Sequence, residues 1–214
     1  MPKTLLETQY FPSIAFFAFA HGNQGIIIDQ HEHYHKGSYR NRTEIMSAQG
    51  RLALSVPLSS GKNNQLPIID VGINNDENWA LNHLRSIESC YGKSPYFEFY
   101  YHYFVDILSR KHQFLFKLNL EIIELFYKIL GIEKKIVLTN KFIDGDETNI
   151  DLKRDFISPK SKYQDQLSQE FIFHQYDQVF MEEQPFEPNL SILDLIFCMG
   201  PEAPLYLAKI RKNK

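Results

Sequence analysis

Three consecutive isoleucines, Ile26-Ile27-Ile28, stand between Gly25 and Asp29. A short run with no polar face is the kind of strand that lies inside a sheet. Arg51 to Leu58 alternates strongly enough for a second strand, with Gln49-Gly50 before it as a turn and Pro57 confining it to an edge or an end. Ile68 to Ile73 reads as a third, and Ser59 to Asn64 as the loop between them. The middle of the chain is helical in pattern. Asn75 to Asn78 offer caps, Ala80, Leu84, Ile87 and Tyr91 fall at helical spacing, and Gly92 supplies the stop. Ser94-Pro95 opens a second helix reaching about Arg110, and a third runs from about Phe114 to Leu130 before Gly131. Ile136 to Leu138 reads as one more short strand.

Residues 140–170 are polar and of mixed charge, which predicts a long surface excursion. Ser191 to Asp194 has the form of a capping box, with Asp in place of Glu, opening a short apolar helix that Gly200-Pro201 stops. The expected class is α/β: a small mixed sheet in the N-terminal third, packed with a helical middle and C-terminal part, in one domain over residues 1–214. A net charge of −3 argues against a general nucleic-acid binder, which would show a broad basic surface. No window approaches 18 apolar residues, so no membrane span is expected. Cys90 and Cys198 lie far apart without metal spacing, and no long apolar stretch follows Met1-Pro2-Lys3-Thr4. Both features make a cytoplasmic location the expectation.

The chemistry concentrates in Tyr34-His35-Lys36-Gly37-Ser38-Tyr39-Arg40-Asn41-Arg42. If that stretch is extended, Lys36, Ser38, Arg40 and Arg42 point to one side. Such a row can hold a phosphate, carboxylate or pyrophosphate through charge-assisted, bidentate contacts. On charge alone the plainer reading is favoured: a solvated basic loop paired with surface acids such as Glu32 and Glu44. His31, His33 and His35 would share one face of a strand, but spacing marks no further ligand, so no metal site is expected. His83 follows Trp79 by one helical turn, the position for a general base beside a stacked ligand or for a core-edge histidine. Aromatics surround the segment Tyr96 to Phe104, which reads as core. There is no nucleophile elbow, P-loop or dinucleotide fingerprint, and Gly22-Asn23-Gln24-Gly25 reads as a turn.

Four blocks resemble the WbqC-like protein family of bacterial surface-polysaccharide gene clusters. Tyr10 to Phe17 is similar to the family's FPxxxYF signature, and Tyr34 to Arg42 to its YxKxSxxNR core, followed by Leu54 to Leu58. Asn78-Trp79 with His83-Leu84 leads to Tyr91 and Pro95-Tyr96-Phe97, and Pro188 to Phe197 is followed by Gly200-Pro201-Glu202. The blocks cover most of the chain in order, and its compact form resembles Bacteroidetes-type members. The resemblance implies shared positions at Tyr34, Lys36, Ser38, Asn41, Arg42, Trp79 and His83. It also implies a role in O-antigen or related glycan synthesis, with acyl or aminoacyl (glycine) transfer onto a sugar.

On that reading Lys36, Arg40 and Arg42 hold the anionic part of a donor or nucleotide sugar. Tyr34 and Asn41 orient it, Ser38 and Trp79 complete the ligand set, and His83 acts as base without a metal. No cofactor is implied. The rival is a non-catalytic protein that holds a nucleotide sugar or docks a glycosyltransferase. Longer members carry a glycine-rich SGPGG-type loop in the later third, to which Lys141 to Tyr176 has no equivalent. If that loop completes a site, activity or ligand differs here. A weaker similarity, in the order of signature, apolar strand and arginine-ended polar stretch, is to nucleotidyltransferases of the HIGH type. The HxGH histidines are absent from Tyr10 to Phe17, so it implies a nucleotide-binding-like core and no nucleotidyl transfer.

Overall fold

A computed structural model describes residues 3–22, 25–59, 65–145, 149–160 and 164–212. In chain order the elements are β1 (Lys3–Leu6), α1 (Ile14–Gly22), β2 (Ile26–Ile28), β3 (Arg42–Ser47) and β4 (Gly50–Ser55). There follow α2 (Trp79–Tyr91), α3 (Phe97–Ser109), α4 (Leu115–Ile129), β5 (Val137–Leu138), β6 (Ile150–Leu152), α5 (Gln164–Glu170), α6 (Ile192–Met199) and α7 (Ala203–Ile210).

The isoleucine run forms β2, buried at all three positions. It pairs with β1 on one side and β5 on the other, and β6 adds to the far side of β1, every pairing parallel. The sheet order is β5-β2-β1-β6. By order of appearance the parallel strands therefore lie third, second, first, fourth, and the winding reverses between β1 and β6. α1 joins β1 to β2 and buries every residue from Ile14 to Ala20, because it contacts β1, α6 and α7. A helix apolar all round needs cover all round.

β3 and β4 form a separate antiparallel hairpin, with Glu44 opposite Ala53 and Arg42 opposite Ser55. Thr43, Ile45 and Leu54 are buried, while Arg42, Glu44 and Arg51 occupy its outer face. The helices α2, α3 and α4 stand within a few residues of their expected bounds. Ser191 caps α6 by accepting a hydrogen bond from the Leu193 amide at 3.3 Å. Gly200 ends that helix at φ 51°, and a Cβ there would lie 2.4 Å from the Tyr96 ring, so the site admits only glycine.

The α/β class holds, with differences in detail. The main sheet is parallel rather than mixed and recruits β5 and β6 from well beyond the N-terminal third. Ile68 to Ile73 is not a strand. Behind Pro67 it makes a 3-10 turn at Ile68–Asp70, and its backbone groups bond to Glu32, Gln113 and Leu115 instead of to a ladder. The expected excursion 140–170 contributes β6, which completes the sheet edge, and α5. Half of the aromatic helix faces the core through Phe97 and Phe104, whereas Phe99 is 66 % exposed. Residues 23–24 and 60–64, within the expected turn and loop, lie outside the described residues. Among the described residues no helix is long and apolar enough to cross a membrane.

Candidate functional site

Polar residues leave the carboxyl end of every parallel strand: Glu7 to Gln9 after β1, Asp29 after β2, Thr139 after β5, and Lys153 to Asp155 after β6. Open parallel sheets place ligands outside these ends, in the crevice where the winding reverses. Here that crevice lies between β1 and β6. Three non-glycine residues around it adopt left-handed backbone: Phe11 (φ 41°), Asp155 (φ 59°) and Asn189 (φ 55°). Each such conformation costs roughly 1–3 kcal/mol and persists only where the surroundings impose it. The Phe11 carbonyl accepts from Thr43 Oγ1 at 2.8 Å and Ser191 Oγ at 3.0 Å. The Asp155 amide donates to Glu7 Oε2 at 2.9 Å. Asn189 Oδ1 accepts from the Ala15 amide at 2.8 Å, which occupies one of the free donors at the start of α1.

Behind the crevice sits a buried charge cluster. Arg40 is fully buried and bidentate to Glu32, Nε to Oε1 at 3.0 Å and Nη2 to Oε2 at 2.5 Å, with Nη1 donating to Asp155 Oδ1 at 2.7 Å. His35, exposed, reaches the other Asp155 oxygen at 3.0 Å. Asp29 accepts from the Thr139 hydroxyl, the Ile143 amide and Arg154. Glu7 accepts from Gln9 Nε2 at 3.0 Å as well as from Asp155. Burial pushes the Glu7 carboxyl up to about 7; Arg40 opposes this, while Glu32 and Asp155 add to it. Among the described residues the four carboxylates Glu7, Asp29, Glu32 and Asp155 gather around the permanent cations Arg40 and Arg154, so a proton on Glu7 relieves the imbalance. Among the described residues, buried polar atoms without a hydrogen-bond partner include Ser13 Oγ, Asn119 Oδ1 and Arg154 Nε, the last 3.7 Å from Glu32 Oε2. The Asn119 amide nitrogen is held by the Arg40 carbonyl and Thr8.

A cleft of about 500 Å3 adjoins this cluster in the chain, since it is lined by Tyr39, next to Arg40, and by Ser158, three residues after Asp155. Leu167, Phe171, Phe173, Phe186 and Pro188 form apolar walls, with Arg51, Ser168 and Asn189 supplying polar groups. That mixture suits a small molecule with a flat apolar part and a hydroxylated or anionic part.

The residues singled out from sequence fall into three groups. Residues 34–41 are a succession of turns, with Gly37 at φ 75°, so Lys36, Ser38, Arg40 and Arg42 do not form a one-sided row. Tyr34 donates to Asn41 Oδ1 at 2.9 Å and Asn41 to the Val56 carbonyl at 3.0 Å, tying the loop to the end of the hairpin. Ser38 Oγ donates to the His35 carbonyl at 2.6 Å, closing a turn. Arg40 points inward, Lys36 is exposed, and Arg42 pairs with Glu44 at 3.2 Å on the hairpin's outer face. Glu32 and Glu44 are thus the partners expected, but Glu32 is interior. The same turns leave His31, His33 and His35 off any common strand face, and among the described residues no three His, Cys, Asp or Glu gather as a metal-holding group.

Trp79 and His83 form a second buried set with Tyr10, whose hydroxyl lies 2.8 Å from His83 Nδ1. The Ser55 backbone favours the protonated ring, a smaller effect than burial. Burial lowers the His83 pKa to about 4, which keeps the ring neutral. As placed, Nδ1 is engaged by Tyr10.

A family model for the WbqC-like protein family matches residues 8–158. The chain belongs to the WbqC-like protein family. That match begins just after Glu7 and spans the Tyr34–Arg42 loop, the Trp79–His83 set and Asp155, and it ends before the cleft walls contributed by Leu167 to Asn189. The WbqC-like chain is also similar to "Uncharacterized protein Rv1507c" of Mycobacterium tuberculosis, 27 % identical over 228 residues, covering 97 % of this chain and 98 % of that one. No solved structure matches it significantly. Glu7, Asp155, Arg51 and the phenylalanine walls carry no sequence motif. Arg40 and Glu32, and the blocks that contain Tyr39, Pro188 and Asn189, were the parts of this site that the sequence signalled.

Proposed function

We propose that the chain binds an activated sugar, one joined to an anionic carrier such as a nucleotide, in the cleft beside the β1/β6 crevice. In this reading it serves bacterial surface-polysaccharide (O-antigen-type) assembly, with acyl or aminoacyl transfer onto the sugar as its chemistry. The observation that supports it most is an aromatic-walled cleft of about 500 Å3 whose lining residues Tyr39 and Ser158 follow closely in the chain on the groups of the buried charge cluster. Phe171, Phe173 and Phe186 offer faces to a ring, and Tyr39, Ser158 and Asn189 offer hydrogen bonds to hydroxyls. The glycan role rests on the family resemblance. Lys36 and Arg42 remain the loop's candidate contacts to the anion, and Tyr34, Ser38, Asn41 and Arg40 set the shape of that loop.

A second reading, binding without catalysis, draws on the burial of His83 and the engagement of its Nδ1 by Tyr10. His83→Ala separates the two. If His83 acts on substrate as a base, transfer falls about a hundredfold or more while ligand still binds. If it only holds Tyr10, melting temperature drops and turnover by the folded fraction stays within a few-fold. A thermal-shift screen with nucleotide sugars, CoA thioesters, and amino acids with ATP tests the ligand class, because a ligand selective for the folded chain raises its melting temperature. A shift with a nucleotide sugar is expected. No shift with any of them would overturn the small-molecule reading.

A further inference from the structure

Four arginines are candidates to meet an anion, and their present partners separate them. Arg40 and Arg154 are committed to buried carboxylates, where removing a partner leaves an uncompensated interior charge. Arg51 lines the cleft with its side chain one-third exposed, and its carboxylate partners Glu44 and Glu187 are partly exposed rather than interior. It donates to Glu187 Oε2 at 2.6 Å, Glu44 Oε2 at 3.1 Å and the Pro188 carbonyl at 3.3 Å. Arg42 shares Glu44 from the neighbouring strand, and its buried Nε has no partner. Two guanidinium groups thus converge on one fixed carboxylate, and Glu187 brings the group to neutrality.

Glu187 comes from residues 172–190, which contain no helix or strand. Its neighbours Phe186 and Pro188 wall the cleft. The same segment is anchored elsewhere, through Tyr176 and Gln178 to the buried Asp194, so releasing Glu187 from Arg51 does not detach it. Building on the cleft reading above, we propose that Arg51, with Arg42, is the cleft's phosphoryl-binding subsite, and that the Glu187 carboxylate occupies it as an internal stand-in until a phosphoryl group displaces it. The exchange is between two anions on an exposed guanidinium, where either ion pair is weak. Arginine forks match phosphate oxygens better than a lone carboxylate fills them.

The test uses inorganic pyrophosphate and the full chain, with binding followed by calorimetry. Glu187→Gln removes the competitor and should tighten pyrophosphate binding by about fivefold, the scale of an exposed ion pair. Arg51→Ala should weaken it about tenfold or more. Equal affinity in Glu187→Gln and the wild type, or unchanged binding in Arg51→Ala, overturns the proposal. If Glu187→Gln fails to fold, hydrogen exchange on the wild type decides. Pyrophosphate should then speed exchange of the Glu187 amide, now bonded to Gln178 Oε1 at 2.9 Å, and unchanged exchange overturns the proposal. Because pyrophosphate carries no sugar, the two ideas fail separately. Predicted pyrophosphate behaviour without nucleotide-sugar binding sinks only the activated-sugar reading. Nucleotide-sugar binding with no effect of Glu187→Gln sinks only the stand-in.

Discussion

Glu7→Gln offers a way to weigh the buried cluster. Glu7 is 1 % exposed and its carboxyl is pushed from 4.5 to about 7, chiefly by burial. A pKa raised on folding means that the native state holds a proton which the unfolded chain releases. Its stabilisation is therefore full below pH 4.5 and is lost as pH rises through 7. At 1.36 kcal/mol per pKa unit the loss is about 3 kcal/mol. His83 works the other way: its pKa falls from 6.5 to about 4, so folding gains stability as pH rises from 4 to 6.5. The two windows nearly cancel, and the wild type should look almost flat in this range. The glutamine mimics protonated Glu7 and does not titrate. Urea unfolding at pH 4.5 and pH 7.5 should find the variant close to the wild type at the lower pH and about 2–3 kcal/mol more stable at the higher. A difference between the two proteins that is the same at both pH values would refute the reasoning, since Glu7 would then not titrate in that window.

Other substitutions test neighbouring parts of the account. Arg40→Met leaves Glu32 buried without its bidentate partner and should cost about 3–5 kcal/mol in chemical denaturation. Gly200→Ala sets a methyl against the Tyr96 ring at a left-handed φ and should cost about 2 kcal/mol or more, read as a fall in melting temperature. Asp194→Asn disturbs a carboxylate that accepts from Tyr91 at 2.9 Å, Gln178 at 2.9 Å and Tyr176. It should cost about 1–3 kcal/mol, and proteolysis should then cut residues 172–190 more readily.

Where local pattern decides structure, the chain was legible. Ile26 to Ile28 announced an interior strand, the spacing from Ala80 to Tyr91 a helix, and Ser191 the cap of α6. β1 and β6 were not legible, because Lys3 to Leu6 and Ile150 to Leu152 are too short to show periodicity and become strands only by pairing with each other and with β2. The loop Tyr34 to Arg42 was correctly picked out as special, but alternation cannot tell which of Lys36, Arg40 and Arg42 turns inward. That choice depends on Asp155, 115 residues away in the chain, and on Glu7, which meets Asp155 across 148 residues. The cleft was invisible for the same reason, since its lining comes from five separated segments.

The most direct test of the central claim is titration calorimetry of a nucleotide sugar against the wild type and Phe186→Ala, whose ring forms one wall of the cleft. Removing one stacking face should weaken binding by about tenfold, on the scale of 1–3 kcal/mol per stacked ring, with the fold intact by circular dichroism. Binding of equal strength in both proteins would contradict the assignment of this cleft as the ligand site.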